Sequence, residues 1–149
     1  MSEIRNIWLH AHHMIRSARQ IINENLHSLT LSSAEGNVLL DLWTQSHEMG
    51  QEQLVKQLDI SKPVVSRAIN SLEKKGYVTR QRDPTDKRAR RVRLTDKALE
   101  IGPTVEQVYN HIYTLALRGI SQEELDSFVN LFGRMSENFA RVDKETEKI

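Results

Sequence analysis

Between Ser61 and Arg93 the chain carries eleven Lys or Arg against three Asp or Glu, while the remainder carries ten against seventeen. A chain of 149 residues with a formal net charge of only +1 has therefore gathered its positive charge into one short stretch. That is the electrostatic footprint of a surface that neutralises phosphates. Within it, Lys62, Ser66, Arg67, Asn70 and Lys74 recur at the spacing of one helix face. Lys and Arg suit phosphate oxygens. Arg can pair with guanine and Asn with adenine in a major groove, so Ser66, Arg67 and Asn70 are the candidates for sequence choice. Pro63 and Val64 can add contact with thymine methyls. A second basic group, Lys87, Arg88 and Arg90, lies in the segment DPTDKRAR. The chemistry these residue types support is duplex recognition, with phosphates supplying affinity and base edges supplying choice. A solvated charge run is the plainer alternative.

The residues need elements to hold them. Ser61 can cap a helix over about 61–75, Pro63 sits where no N–H donor is needed, and Gly76 supplies the stop. Val65, Ala68, Ile69 and Leu72 fall on its opposite, core-facing side. Upstream, Gln51 to Leu58 makes a short helix with Leu54, Val55 and Leu58 as its contacts, and Asp59 and Ile60 connect the two. Short helix, short turn and capped helix make a helix-turn-helix, although ordinary helical hairpins share the pattern. Downstream, Tyr77 to Arg82 and Arg91 to Thr95 are strand-like runs around a loop turned by Pro84, which predicts a β-hairpin wing over about 77–95.

The stretch LEKKGYVTRQRDPTDKRARRVRLT resembles the MarR family of transcriptional regulators, with Leu72, Glu73, Gly76, Tyr77, Val78, Arg82, Asp86, Arg88, Leu94 and Thr95 at the family's pattern positions. The resemblance implies a homodimer on double-stranded DNA with a pseudo-palindromic operator, each subunit placing one helix in a major groove and one wing in the adjacent minor groove. Asp86 and Arg88 would form the wing's Asp-x-Arg element, with Lys87 and Arg90 as further contacts. Which basic side chain enters the minor groove stays open. The resemblance also implies a repressor more often than an activator, released by a small-molecule effector.

The rest of the chain is expected to be helical. Ile4, Ile7, Trp8, Ala11, Ile15, Ala18, Ile22 and Leu26 form one face of a helix from about Glu3 to His27. Ser32 or Ser33 caps a helix carrying Val38, Leu39, Leu42 and Trp43, Gly50 ends it, and the residues around Met49 can add a small strand to the wing. Thr95 caps a long helix with Ala98, Ile101, Val105, Val108, Ile112 and Leu115 on its apolar face and a kink expected at Pro103. Gly119 ends that helix, and Ser121 with Glu124 forms a capping box for a last one along Leu125, Phe128, Phe132, Met135, Phe139 and Val142. Such a seam favours helix-on-helix packing. The expected fold is mainly α with a small β-hairpin wing: a single domain over 1–149, with a winged helix-turn-helix lobe over about 32–95 and dimerisation helices over about 3–27 and 96–145.

With no cysteine, the chain has no disulfide, thiolate metal site or thiol nucleophile, and so no route to the cysteine-based oxidant sensing of some relatives. No apolar run is long enough to span a membrane and no leader pattern is evident, so the expected place is the cytoplasm. A glycine-rich phosphate loop, a Gly-x-Ser-x-Gly element and paired carboxylates are missing, so no enzyme and no cofactor are expected; Asp83 and Asp86 read as wing structure. Trp8, His12, Ile15 and Trp43 are candidates for lining an effector pocket, with ordinary packing as the plainer reading. His10 and His13, with His111 and a third ligand from Glu100, Glu106 or His47, are candidates for a zinc site, although clustered surface histidines usually bind nothing. A winged helix used only for protein contact is the remaining alternative.

Overall fold

In the computed structural model, which describes residues 2–142, helix α4 (Lys62–Lys74) buries Val65, Ala68, Ile69 and Leu72. The elements before it are α1 (Ser2–Leu26), a 3-10 turn (His27–Leu29), α2 (Ser33–Thr44), β1 (Glu48–Gly50) and α3 (Gln51–Leu58). After it come β2 (Val78–Arg82), β3 (Arg90–Leu94), α5 (Asp96–Ala116) and α6 (Gln122–Ala140). The chain divides into two compact units between Ile112 and Tyr113. The sequence-derived lobe over 96–145 runs beyond the described residues at 143–145.

The first unit holds the core. Leu26, Val38, Leu42, Leu54, Ile69, Leu72, Val92 and Val105 are at most 1% exposed, and burying each such side chain contributes roughly 1.5–3 kcal/mol. The α3–α4 turn passes through Asp59 at φ 49°, a left-handed conformation that Asp tolerates better than most residues. Gly76, at φ 81°, takes the same region where α4 ends, and there a side chain would be strained. The strand near Met49 is present, and it makes the wing a three-stranded antiparallel sheet in the order β1-β3-β2. Val92 pairs with Met49 on one side and Arg80 on the other. The hairpin strands sit one residue earlier than expected at β3, because Thr95 leaves the sheet to cap α5, its hydroxyl accepting from Ala98 N–H at 3.3 Å.

Three of the four expected side-chain caps form, that of Thr95 among them, and one does not. Ser32 and Ser121 each make a full capping box, with Glu35 and Glu124 respectively. At Ser61 no side-chain cap bond forms. Pro63 has no N–H to donate, and the Val64 N–H goes to the Ser61 carbonyl at 3.1 Å instead of its hydroxyl. Helix α5 runs as one element with Pro103 inside it. Gly102 is required there because a Cβ would collide with the Trp43 ring.

Along α1 the apolar face is largely uncovered: only Leu26 is buried, whereas Ile4, Trp8 and Ile15 are exposed. In the second unit, α6 has no buried residue, and Phe128, Phe132 and Phe139 are exposed. Phe128 and Phe132 stack at 5.4 Å. Val142 falls beyond the end of α6.

Candidate nucleic-acid interface

The outward face of α4 carries Lys62, Pro63, Arg67, Asn70 and Lys74 exposed and Val64 and Ser66 half-buried. The buried stripe opposite them explains why they face out, since a 3.6-residue period puts the two sets on different sides. Lys62 pairs with Glu52 at 2.7 Å, an exposed contact worth little. Arg67 and Lys74 have no ion pair among the described residues.

Glu35, which is 6% exposed, anchors the far end of α4. Its carboxylate accepts from the Ser32 N–H at 3.1 Å, the Ser71 hydroxyl at 3.1 Å and the Lys75 ammonium at 2.8 Å. Lys75 also donates to the Thr30 carbonyl at 2.7 Å. Burial pushes the Glu35 carboxyl up, but the Lys75, Ser32 and Ser71 bonds together outweigh it and hold the group below its ordinary value. The start of α2 is thereby tied to the end of α4.

A second tie joins α4 to the wing. Arg80 on β2 donates through one guanidinium nitrogen to the Asn70 side-chain carbonyl at 2.5 Å and to the Glu73 carboxylate at 3.2 Å. The Arg80 bond is the main reason the Glu73 carboxyl is held low. Asn70 is thus exposed but already has a partner.

The wing tip closes on itself. Asp83 accepts from the Thr85 N–H at 2.8 Å and its hydroxyl at 2.6 Å, the Asp83 N–H donates to the Ala89 carbonyl, and the Ala89 N–H donates to the Asp86 carbonyl, both at 3.1 Å. The Asp86 carboxylate accepts the Arg88 backbone N–H at 3.0 Å. Asp86 therefore fixes the backbone of Arg88, and the guanidinium makes no ion pair among the described residues. Lys87 and Arg90 are likewise exposed without one. At the base of the wing, Glu48 on β1 binds Arg91 at 2.9 Å and Arg93 at 2.8 Å, which neutralises two of the wing's cations and holds its own carboxyl low. The free positive charge consequently concentrates at the tip and along α4.

Of the four candidate effector-pocket residues, His12 and Ile15 line a cleft of about 590 Å³ that also includes Arg19, Asn37, Leu58 and Ile60. Trp43 does not line it: its indole N–H donates to Glu106 at 2.8 Å, and its ring stacks on His47 at 5.4 Å. Trp8 does not line it either. Among the described residues no three His, Cys, Asp or Glu come together as metal ligands. His10, His13 and His111 are exposed, and Glu106 and His47 are engaged by Trp43.

The sequence reading missed the roles of Glu35, Arg80 and Glu48. Each acts through a partner distant in sequence or on another element, and only Glu35 left a local trace, as the last residue of a capping box.

Residues 31–89 match the model of the MarR family. A MarR transcriptional regulator from Methanosarcina mazei Go1 is 25% identical over 93% of this chain and 99% of its own, with a TM-score of 0.80. A MarR protein from Peptoclostridium difficile DA00132 is 25% identical over 90% of this chain and 87% of its own, with a TM-score of 0.82. A MarR family transcriptional regulator from Listeria monocytogenes, solved in complex with a 26mer DNA, is 25% identical over 92% of this chain and 88% of its own, with a TM-score of 0.78.

Proposed function

This chain is a winged-helix transcriptional regulator of the MarR family, and from that premise we propose that it works as a homodimeric repressor, reading a pseudo-palindromic operator with two copies of α4 and two wings. The observation that carries this reading is the surface of the winged unit: Arg67, Lys74, Lys87, Arg88 and Arg90 present charge that no carboxylate neutralises among the described residues, on a helix and a hairpin tied together through Arg80. The Listeria relative bound to DNA supports duplex DNA as the partner.

Two-fold symmetry would set the half-sites about one helical turn, roughly 10 bp, apart. Lys62, Arg67 and Lys74 meet phosphates or base edges from α4, Pro63, Val64, Ser66 and Asn70 face the bases, and Arg88 reaches a minor groove whose width it senses. The exposed apolar faces of α1 and α6 support dimerisation, because contiguous exposed apolar surface of this kind marks an interaction site.

A small effector would take the cleft lined by His12, Ile15, Arg19 and Ile60. The cleft includes Leu58 at the end of α3 and Asp59 and Ile60 from the α3–α4 connection, so a ligand favouring one position of that connection would shift α4. The working compartment in this reading is the cytoplasm.

The test is a gel shift on duplex from upstream of the protein's own gene, at physiological salt with excess nonspecific competitor. A discrete competitor-resistant complex that Arg88→Ala weakens is expected. Competitor removing all binding by dimeric protein from every upstream fragment would reject the reading, and a winged helix used for protein contact would take its place.

A further inference from the structure

Arg has five N–H donors and no acceptor, so the atom of Asn70 that meets Arg80 at 2.5 Å must be its carbonyl oxygen. That assignment needs no choice between the two amide orientations. The same guanidinium nitrogen also donates to Glu73, at 3.2 Å, and Glu73 is one helical turn beyond Asn70 on α4. Arg80 is held from the other side by the sheet, where its backbone pairs with Val92. A cation fixed by β2 and Glu73 therefore determines which end of the Asn70 amide is available on the exposed face of α4.

Building on the reading that α4 enters a major groove, we infer that Arg80 is a specificity-positioning residue: it turns the Asn70 oxygen toward the wing, so that Asn70 meets the bases chiefly through its amide N–H groups. The bidentate contact of Asn with adenine needs the oxygen, to accept from the adenine amino group, and the amide nitrogen, to donate to N7, presented as one edge. With the oxygen turned to Arg80, the amide N–H groups lead. The partner they suit best is guanine, whose O6 and N7 are two adjacent acceptors, whereas thymine O4 and adenine N7 offer one each. Cytosine offers only its amino donor in the major groove and is disfavoured. The base preference at the Asn70 position is accordingly set by a residue of the wing that touches no base.

The experiment selects bound duplexes from a pool with a randomised window and compares base frequencies for wild type, Arg80→Ala, Arg80→Lys, Asn70→Ala and the Asn70→Ala/Arg80→Ala double variant. Wild type is expected to enrich guanine at one position per half-site. Arg80→Ala is expected to move that position toward adenine by about tenfold, the discrimination of one bidentate pair. Arg80→Lys, which keeps a donor, is expected to restore much of the wild-type preference, and in the Asn70→Ala background removing Arg80 is expected to leave that position unchanged. If Arg80→Ala fails to fold by circular dichroism, Arg80→Met, which keeps the apolar stem, takes its place. Uniformly weaker binding with an unaltered base profile would overturn the inference and leave the DNA-binding reading standing. Wild type enriching no sequence would overturn both.

Discussion

On α4, Val65, Ala68, Ile69 and Leu72 are no more than 5% exposed; on α6, Phe128, Phe132 and Phe139 are 38% exposed or more, although both helices carry the same amphipathic repeat. The repeat states that a face needs cover and is silent on what covers it. For α4 the cover is the rest of the winged unit, and Glu35 and Arg80 add polar ties at its sides. For α6, and for the outer part of α1, the described chain supplies little cover. A chain whose α4 has its apolar face covered while α1 and α6 keep uncovered apolar faces is the arrangement expected if α4 is to be presented twice by a dimer.

That contrast can be broken most sharply inside the winged unit. Leu72→Ala should cost about 2–5 kcal/mol of unfolding free energy, measured by urea denaturation, because the side chain is fully buried. Phe132→Asp should leave such a core intact but convert dimer to monomer in sedimentation. It should also remove the rise of melting temperature with protein concentration that an associating chain shows. An unchanged dimer would place the interface elsewhere.

Glu35→Gln should cost about 1.5–3 kcal/mol at neutral pH, since it removes the charged acceptor shared by Lys75 and Ser71. The sign of its pH dependence follows from the direction of the shift. The folded carboxyl is held below its ordinary value of 4.5, so its stabilisation is complete above that pH and disappears as pH falls through the lower folded value. Wild type and Glu35→Gln should therefore differ in urea midpoint at neutral pH and converge in acid. A gap that persists in acid would mean that the Glu35 charge contributes nothing.

The smallest effect belongs to the wing tip. Arg88→Ala should change stability by less than about 0.5 kcal/mol, as expected for an exposed side chain without an ion pair. It should lower the slope of log affinity against log salt by about one. Loss of affinity with the salt slope unchanged would remove Arg88 from the phosphate and groove contacts.

What could be read in the sequence was local. Periodicity placed the long helices, Thr95 and Ser121 announced their caps, the cap of α2 was narrowed to Ser32 or Ser33, and a turn flanked by strand-forming runs announced the wing. Ser61 misled because its neighbour Pro63 withdraws one of the N–H groups a cap would serve. The supporting shell of the interface escaped for a different reason. Glu35 with Lys75, Arg91 with Glu48, and Arg80 with Asn70 are contacts between elements, and no spacing rule along the chain encodes them. Trp43 shows the same limit: an aromatic on an apolar face looked available to a ligand, but the structure gives it to Glu106, His47 and the space above Gly102.

The measurement that tests the account most directly is the mass of the specific DNA complex by sedimentation equilibrium, on the duplex that survives competitor. Two chains per duplex, falling to no specific complex with Phe132→Asp, is the predicted result. A stable complex of one wild-type chain per duplex, with affinity and competitor resistance unaffected by Phe132→Asp, would contradict it.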